Sequence, residues 1–226
     1  MTEKIQFISL RQSKPERFPS FPYEVVPGTN QQVVISKNGD YFTWVPGGRA
    51  LVKKGDFWES EKYIEYVRGF WVNTFAISKD NGGIYHSVPN AMPFKDAERG
   101  EMVEKIAEIF GGKMISDIQY LRILTWFFDS GIVSKYQVLD DSSEIGNYES
   151  NSIAITGENP EWMIGNIDCL IGNLRCWIRT GNTRYDKYLI AGGSYLELGE
   201  NYPAFWFSTD HVVYDDWVPT QIRLTI

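Results

Sequence analysis

The sequence predicts an α+β domain in which two helices pack on short, mostly antiparallel strands, preceded by an extended N-terminal arm. Three observations carry this. Two stretches, 94–110 and 116–130, repeat apolar residues at helical spacing. Much of the rest, from about residue 32 onward, breaks into short apolar runs bounded by Gly, Asn, Asp and Pro. Pro15, Pro19, Pro22 and Pro27 punctuate residues 1–35, and each removes an amide donor and holds its predecessor extended.

The arm, 1–35, also holds Ile5, Phe7, Ile8, Leu10, Phe18, Phe21 and Tyr23, more apolar surface than a disordered tail carries. It is therefore expected to pack, either on its own domain or on a neighbouring subunit, and the sequence leaves both open. The domain proper spans 36–226. Gln32–Ser36 reads as a strand, Lys37-Asn38-Gly39-Asp40 as a hairpin turn and Tyr41–Val45 as the return strand, ended by Pro46-Gly47-Gly48. Residues 57–62 read as a loop, and 67–78 as one aromatic-rich strand closed by Lys79-Asp80-Asn81-Gly82-Gly83.

The first helix, 94–110, shows an apolar stripe of Val103, Ile106, Ala107 and Phe110; Gly100 weakens its first half and Gly111-Gly112 ends it. The second opens at Ser116, with Gln119 completing a capping box and Ile115 and Tyr120 a hydrophobic staple. Ile118, Leu121, Leu124 and Phe128 are its expected buried face, and Ser130-Gly131 its end. Residues 140–152 read as a polar loop. Short strands follow, including 204–208, 211–214 and 221–226. The stretch Gly165–Tyr195 is the expected seam: Gly-Asn pairs make tight turns, Trp177 and Ile190 enter the core, and Gly192-Gly193 lets backbones approach.

The chain has 226 residues, enough for a core without covalent staples. Its net charge of −7 and the lack of a long basic run argue against a nucleic-acid groove. No apolar run approaches the roughly 20 residues of a membrane span, and the N-terminus lacks the apolar stretch of a secretory signal. The product is expected in the cytoplasm where it is made. Aromatics at 15% leave rings to spare for an interface or ligand. Cys169 and Cys176 are expected as buried free thiols rather than a disulfide, and His86 and His211 give no zinc spacing.

Short blocks spread along the chain resemble the formylglycine-generating-enzyme-like (sulfatase-modifying-factor) branch of the C-type-lectin fold. Trp44-Val45-Pro46-Gly47-Gly48 resembles its "VPGG" opening, and Phe70–Ile77 the strand that follows. Pro93–Ala97 resembles "W-x-D-A", with Phe94 at the Trp position. Gly112–Tyr120 resembles "GKRLPTEAEWE", Gly172–Trp177 "GNVWEW", Ala191–Tyr195 "RGGSW", and Val218–Leu224 the closing "GFR" strand. The blocks cover about residues 40–226 in family order. The wording around Gly112–Gly131 resembles versions found in phage structural and tail proteins.

The resemblance implies several chemistries, and the residues bear on each. Formylglycine-generating enzymes are copper oxidases acting through a cysteine pair near the C-terminal end; here no cysteine follows Cys176. The related iron-dependent sulfoxide synthases use three histidines in a helical domain, against two histidines here. A structural calcium sits near "GNVWEW" in such domains; Asn166, Asp168 and Asn173 are the candidate ligands, set against Arg175 and Cys176 and a satisfied turn network. Lectin motifs are absent: Glu158-Asn159-Pro160 has the residues of "EPN" in the wrong order, and Asp215-Asp216-Trp217 is not "WND". Asp210 and His211, with that carboxylate pair, read as a polar loop without a nucleophile.

What remains is recognition. Tyr195, Tyr202, Trp206, Tyr214, Asp215, Asp216 and Trp217 form the candidate partner surface, the alternative being core filler. The expected function is a non-catalytic binding or structural module, a tail, fibre or capsid-surface component of a phage or prophage virion. Its partners would be other virion proteins or itself through the arm, and a host-surface protein or glycan, with no cofactor beyond that calcium. The alternatives are a diverged copper oxidase of the bacterial cytoplasm and a retroelement-diversified ligand-binding protein.

Overall fold

The computed structural model describes residues 5, 7, 14–53, 61–95, 100–180, 187–205, 207–209 and 220–226, with backbone alone at 52–53, 61–65 and 208–209. Strands β1 (Tyr23–Val25), β2 (Val33–Ser36) and β3 (Tyr41–Val45) form an antiparallel meander. The expected turn joins the last two. The Gly39 amide donates to the Ser36 carbonyl at 2.9 Å, and Gly39 takes a φ of 86°, where a side chain is strained. Past Pro46 the chain forms a ribbon of β4 (Gly48–Lys53) and β5 (Glu61–Val67). Glu61 and Lys62 thus belong to a strand, not to the expected loop, whose residues 57–60 lie outside the described residues.

The stretch expected as one strand over 67–78 is broken into the end of β5, then β6 (Phe70–Asn73) and β7 (Ser78–Lys79). Gly69 sits at the first break because the Trp44 ring fills the space a side chain would need. At the second, the Asn73 side-chain amide donates to the Phe75 carbonyl and turns the chain. β8 (Tyr85–His86) returns along β7 after a turn in which the Gly83 amide donates to the Asp80 carbonyl at 3.0 Å.

Helix α1 (Gly100–Ile109) is shorter than expected: Phe94 precedes it, its amide donating to the Ile77 carbonyl at 2.7 Å, and 96–99 lie outside the described residues. Val103, Ile106 and Ala107 form the buried stripe. After β9 (Lys113–Met114), α2 (Asp117–Asp129) begins at the capping box: the Ser116 hydroxyl accepts from the Gln119 amide, and the Gln119 side chain accepts from the Ser116 amide at 3.0 Å. Ser116→Ala should lower stability by about 1 kcal/mol, read as a shifted urea midpoint with unchanged slope.

The single buried face expected for α2 is a correction. Tyr120 through Phe127 are all buried, while Ile118 and Phe128 are only partly so. The cause is a second layer. The β4–β5 ribbon covers the helix side opposite the main core. The Arg122 guanidinium donates to the carbonyls of Pro46, Gly47 and Arg49, and the Thr125 hydroxyl accepts from the Leu51 amide at 2.8 Å. A third helix, α3 (Lys135–Leu139), also departs from the two-helix expectation; Ser134 and Gln137 cap it.

Residues 140–162 hold no strand, yet Ser142, Ile145, Asn147 and Tyr148 are buried within that loop. Then come β10 (Met163–Ile164), β11 (Ile167–Asp168), β12 (Arg175–Arg179), β13 (Tyr188–Ala191), β14 (Phe207–Thr209), β15 (Thr220–Ile222) and β16 (Leu224–Thr225). The strand expected at 204–208 is β14, shifted toward the C-terminus; the one expected at 211–214 lies outside the described residues. Two larger sheets result. One runs β1-β2-β3-β6-β16-β9, and the other β14-β13-β12-β15, where β12 and β15 pair in parallel and the rest antiparallel. Trp177 faces Ile190 across β12 and β13, as the seam requires. At Gly193 a side chain would collide with the Tyr202 carbonyl and the Tyr148 ring.

The described part of the arm packs on its own chain. β1 and β2 belong to the six-stranded sheet, so β2 runs across position 35. The Arg17 guanidinium donates to the Gly69 carbonyl at 2.9 Å, and the Trp71 indole donates to the Arg17 carbonyl at 3.0 Å. Phe18 stacks on Tyr23, and Phe21 packs against Phe42 with ring centres 5.3 Å apart. No helix among the described residues is long and apolar enough to cross a membrane.

Candidate binding surfaces

The expected C-terminal surface divides. Trp206, Tyr214, Asp215, Asp216 and Trp217 lie outside the described residues, as do Asp210 and His211. Tyr195 and Tyr202 are half-buried. The Tyr195 amide donates to the Asn173 carbonyl at 3.0 Å, while Tyr202 lies under the Arg175 guanidinium, 4.9 Å from ring centre. Arg175 is also held by both oxygens of Glu197. Phe205 is buried, with Phe207 edge-on to both it and Tyr120. Between the two tyrosines, Leu196 and Leu198 face solvent.

The calcium candidates sit in two separate turns. The Asn173 side-chain oxygen accepts from Asn147 at 3.0 Å and from the Ala154 amide at 2.8 Å, and its NH₂ donates to the Ala154 carbonyl. That is the turn network weighed against a metal. Asn166, at φ 62° in the β10–β11 turn, is buried with its carbonyl accepting the Thr43 hydroxyl at 2.7 Å. Asp168 is fully buried, and among the described residues neither carboxylate oxygen has a hydrogen bond of ordinary geometry, the Gly157 amide and the Cys169 thiol being its neighbouring donors. Burial pushes its pKa up to about 6, against the pull of the Arg223 charge. Among the described residues no group of three His, Cys, Asp or Glu could hold a metal ion.

Arg223, which the sequence reading did not single out, ties the seam together. It is fully buried in the one-residue break between β15 and β16, and donates to the carbonyls of Asn73, Thr74 and Asp168 and to the Gln221 side chain. Gln221 in turn donates to the carbonyls of Cys169 and Leu174. An arginine inside an apolar stretch was the available signal. Both cysteines are buried free thiols. Burial pushes the Cys176 pKa up to about 12 and raises that of Cys169 well above the usual thiol range.

A second surface lies where the β2–β3 turn meets the β7–β8 hairpin. The Tyr41 amide donates to the Ser87 carbonyl at 2.9 Å, and the Ser87 amide to Asp40 Oδ1 at 2.8 Å. With Phe21 and the end of α1 they bound an open groove of about 700 Å³. At its polar end His86 stands between two carboxylates, Nδ1 3.6 Å from Asp40 Oδ1 and Nε2 3.5 Å from Asp80 Oδ2. The Asp40 side chain is 7% exposed and that of Asp80 44%. Burial raises the Asp40 pKa, opposed by the Ser87 amide and His86; the Ile84 amide lowers that of Asp80. Ile84 and Ile109 stand on the rim, 59% and 69% exposed. Sequence reasoning saw both turns but not that they lie side by side.

No family model matches the chain, and no curated protein matches it. The Ser87 hydroxyl donates to the carbonyls of Tyr41 and Phe75, and the Ser36 hydroxyl accepts from the amides of Asn38 and Asp40. Neither is aligned on His86. The groove offers hydrogen-bond acceptors and aromatic walls.

Proposed function

We propose that this chain is a non-catalytic binding module of C-type-lectin-like architecture, a tail, fibre or capsid-surface component of a phage or prophage virion that serves attachment or assembly. The observation that carries the non-catalytic part is the state of the two thiols. The oxidase chemistry that the resembling enzymes perform needs accessible thiolates. Cys169 and Cys176 are 1% and 0% exposed, and their raised pKa values keep them protonated at neutral pH. The virion setting rests on the resemblance of Gly112–Gly131 to phage structural versions of the fold. Attachment is supported by the exposed leucines beside Tyr195 and Tyr202 and by the acceptor-lined groove.

The test is thiol reactivity of the folded chain toward an aromatic disulfide reagent. Both cysteines should stay unreacted in buffer and react together once urea unfolds the protein. Prompt reaction of both in the native state would instead favour the oxidase reading.

A further inference from the structure

The geometry points to the groove beside His86 as the seat of a basic side chain, a lysine or arginine flanked by apolar residues, presented by a partner protein. This deepens the binding-module reading by naming the partner chemistry of one surface. The first reason is Asp40. Its Oδ1 is engaged by the Ser87 amide and faces His86, while Oδ2 receives, among the described residues, only the Ser36 hydroxyl at 3.5 Å. A buried carboxylate with one weakly satisfied oxygen on a groove wall gains from a cationic donor. Its raised pKa agrees with that shortage of compensating charge.

The second reason is the wall. Phe21, Phe42, Tyr85 and Phe110 line the groove, and aromatic faces attract ammonium and guanidinium groups. This chain already uses one of them so: Lys79 Nζ lies 5.1 Å from the Tyr85 ring centre and 5.6 Å from that of Phe94. The third is the rim. Ile84 and Ile109 carry apolar surface beyond the cavity, which fits a peptide chain with apolar neighbours better than a small polar ligand. The net charge of −7 steers a basic partner toward the surface. An acidic segment would meet Asp40 and Asp80, although Lys37 and His86 also line the groove and Lys79 lies over Tyr85.

The experiment titrates the full chain, labelled with ¹⁵N, with three acetylated and amidated tripeptides: Leu-Lys-Leu, Leu-Gln-Leu and Leu-Glu-Leu. The lysine peptide should shift the Asp40 and Ser87 amides and bind about tenfold more tightly than the glutamine peptide, with the glutamate peptide weaker still. Added salt should narrow the gap. Asp40→Asn, which keeps an oxygen for the Ser87 amide, should abolish most of the lysine preference, and Lys37→Ala should enlarge it. Ile109→Ser, at an exposed position, should weaken lysine and glutamine peptides alike. Equal binding of the three peptides, shifts confined to the C-terminal surface, or no saturable shift overturns the inference. Those outcomes leave the thiol result standing, and native thiol reactivity would end the non-catalytic reading without altering this titration.

Discussion

Replacing Arg223 by Met should cost about 3–5 kcal/mol, a large share of the roughly 5–15 kcal/mol that holds a domain folded. The variant removes the donors to the carbonyls of Asn73, Thr74 and Asp168 and to the Gln221 side chain, all buried. It also leaves the Asp168 carboxylate without its opposing charge. Chemical denaturation should show a much lower midpoint, and the double variant Arg223→Met, Asp168→Asn should recover part of the loss because the stranded acid is gone. A loss below about 1 kcal/mol for the single variant would show that the seam does not depend on this side chain.

The same pair gives a pH signature. The Asp168 pKa, about 6 when folded, lies above its unfolded value, so the folded state holds the proton more tightly. Its contribution to stability is therefore greatest below about pH 4, falls as pH rises toward 6, and is level above that. Asp40, also raised, acts in the same sense, while Asp80, Glu104 and Asp141, all lowered, act oppositely. The Asp168 part is isolated by comparing the chain with Asp168→Asn across that range. The difference between them should change between pH 4 and 6 and be flat beyond.

Deleting residues 1–35 should leave a chain that does not fold. The cut removes β1 and all but one residue of β2, including Val33 and Val34, each fully buried. Losing two such side chains alone costs about 3–6 kcal/mol, before the exposed Phe42, Trp44 and Trp71 faces are counted. Circular dichroism and gel filtration should report an unfolded or aggregated product. A folded, soluble monomer would show instead that the segment is separable and free to dock elsewhere.

The parts of this fold legible in sequence are those specified locally. Asn38-Gly39 fixed a hairpin, Ser116 and Gln119 a helix start, and the alternation around Trp177 and Ile190 a strand pair. What was not legible depends on neighbours distant in sequence. The second buried side of α2 exists because β4 and β5 fold over it, and the charged 61–65 stretch hid that strand. Helix α3 spans too few residues for a period to show, although its Ser134–Gln137 box was in view. The break near Gly69 follows from Trp44, a partner 25 positions away by number. The candidate groove was invisible for the same reason: Asp40, Asp80 and His86 each looked like ordinary turn or loop residues until two hairpins met.

Both thiols are buried inside the fold, which is the basis of the proposed non-catalytic role. Titrating the native chain with copper(I), against a competing chelator of known affinity, tests this most directly. The account predicts no stoichiometric uptake and two thiols still countable after unfolding. One copper bound per folded chain, lost when Cys169 and Cys176 are both changed to serine, would contradict it.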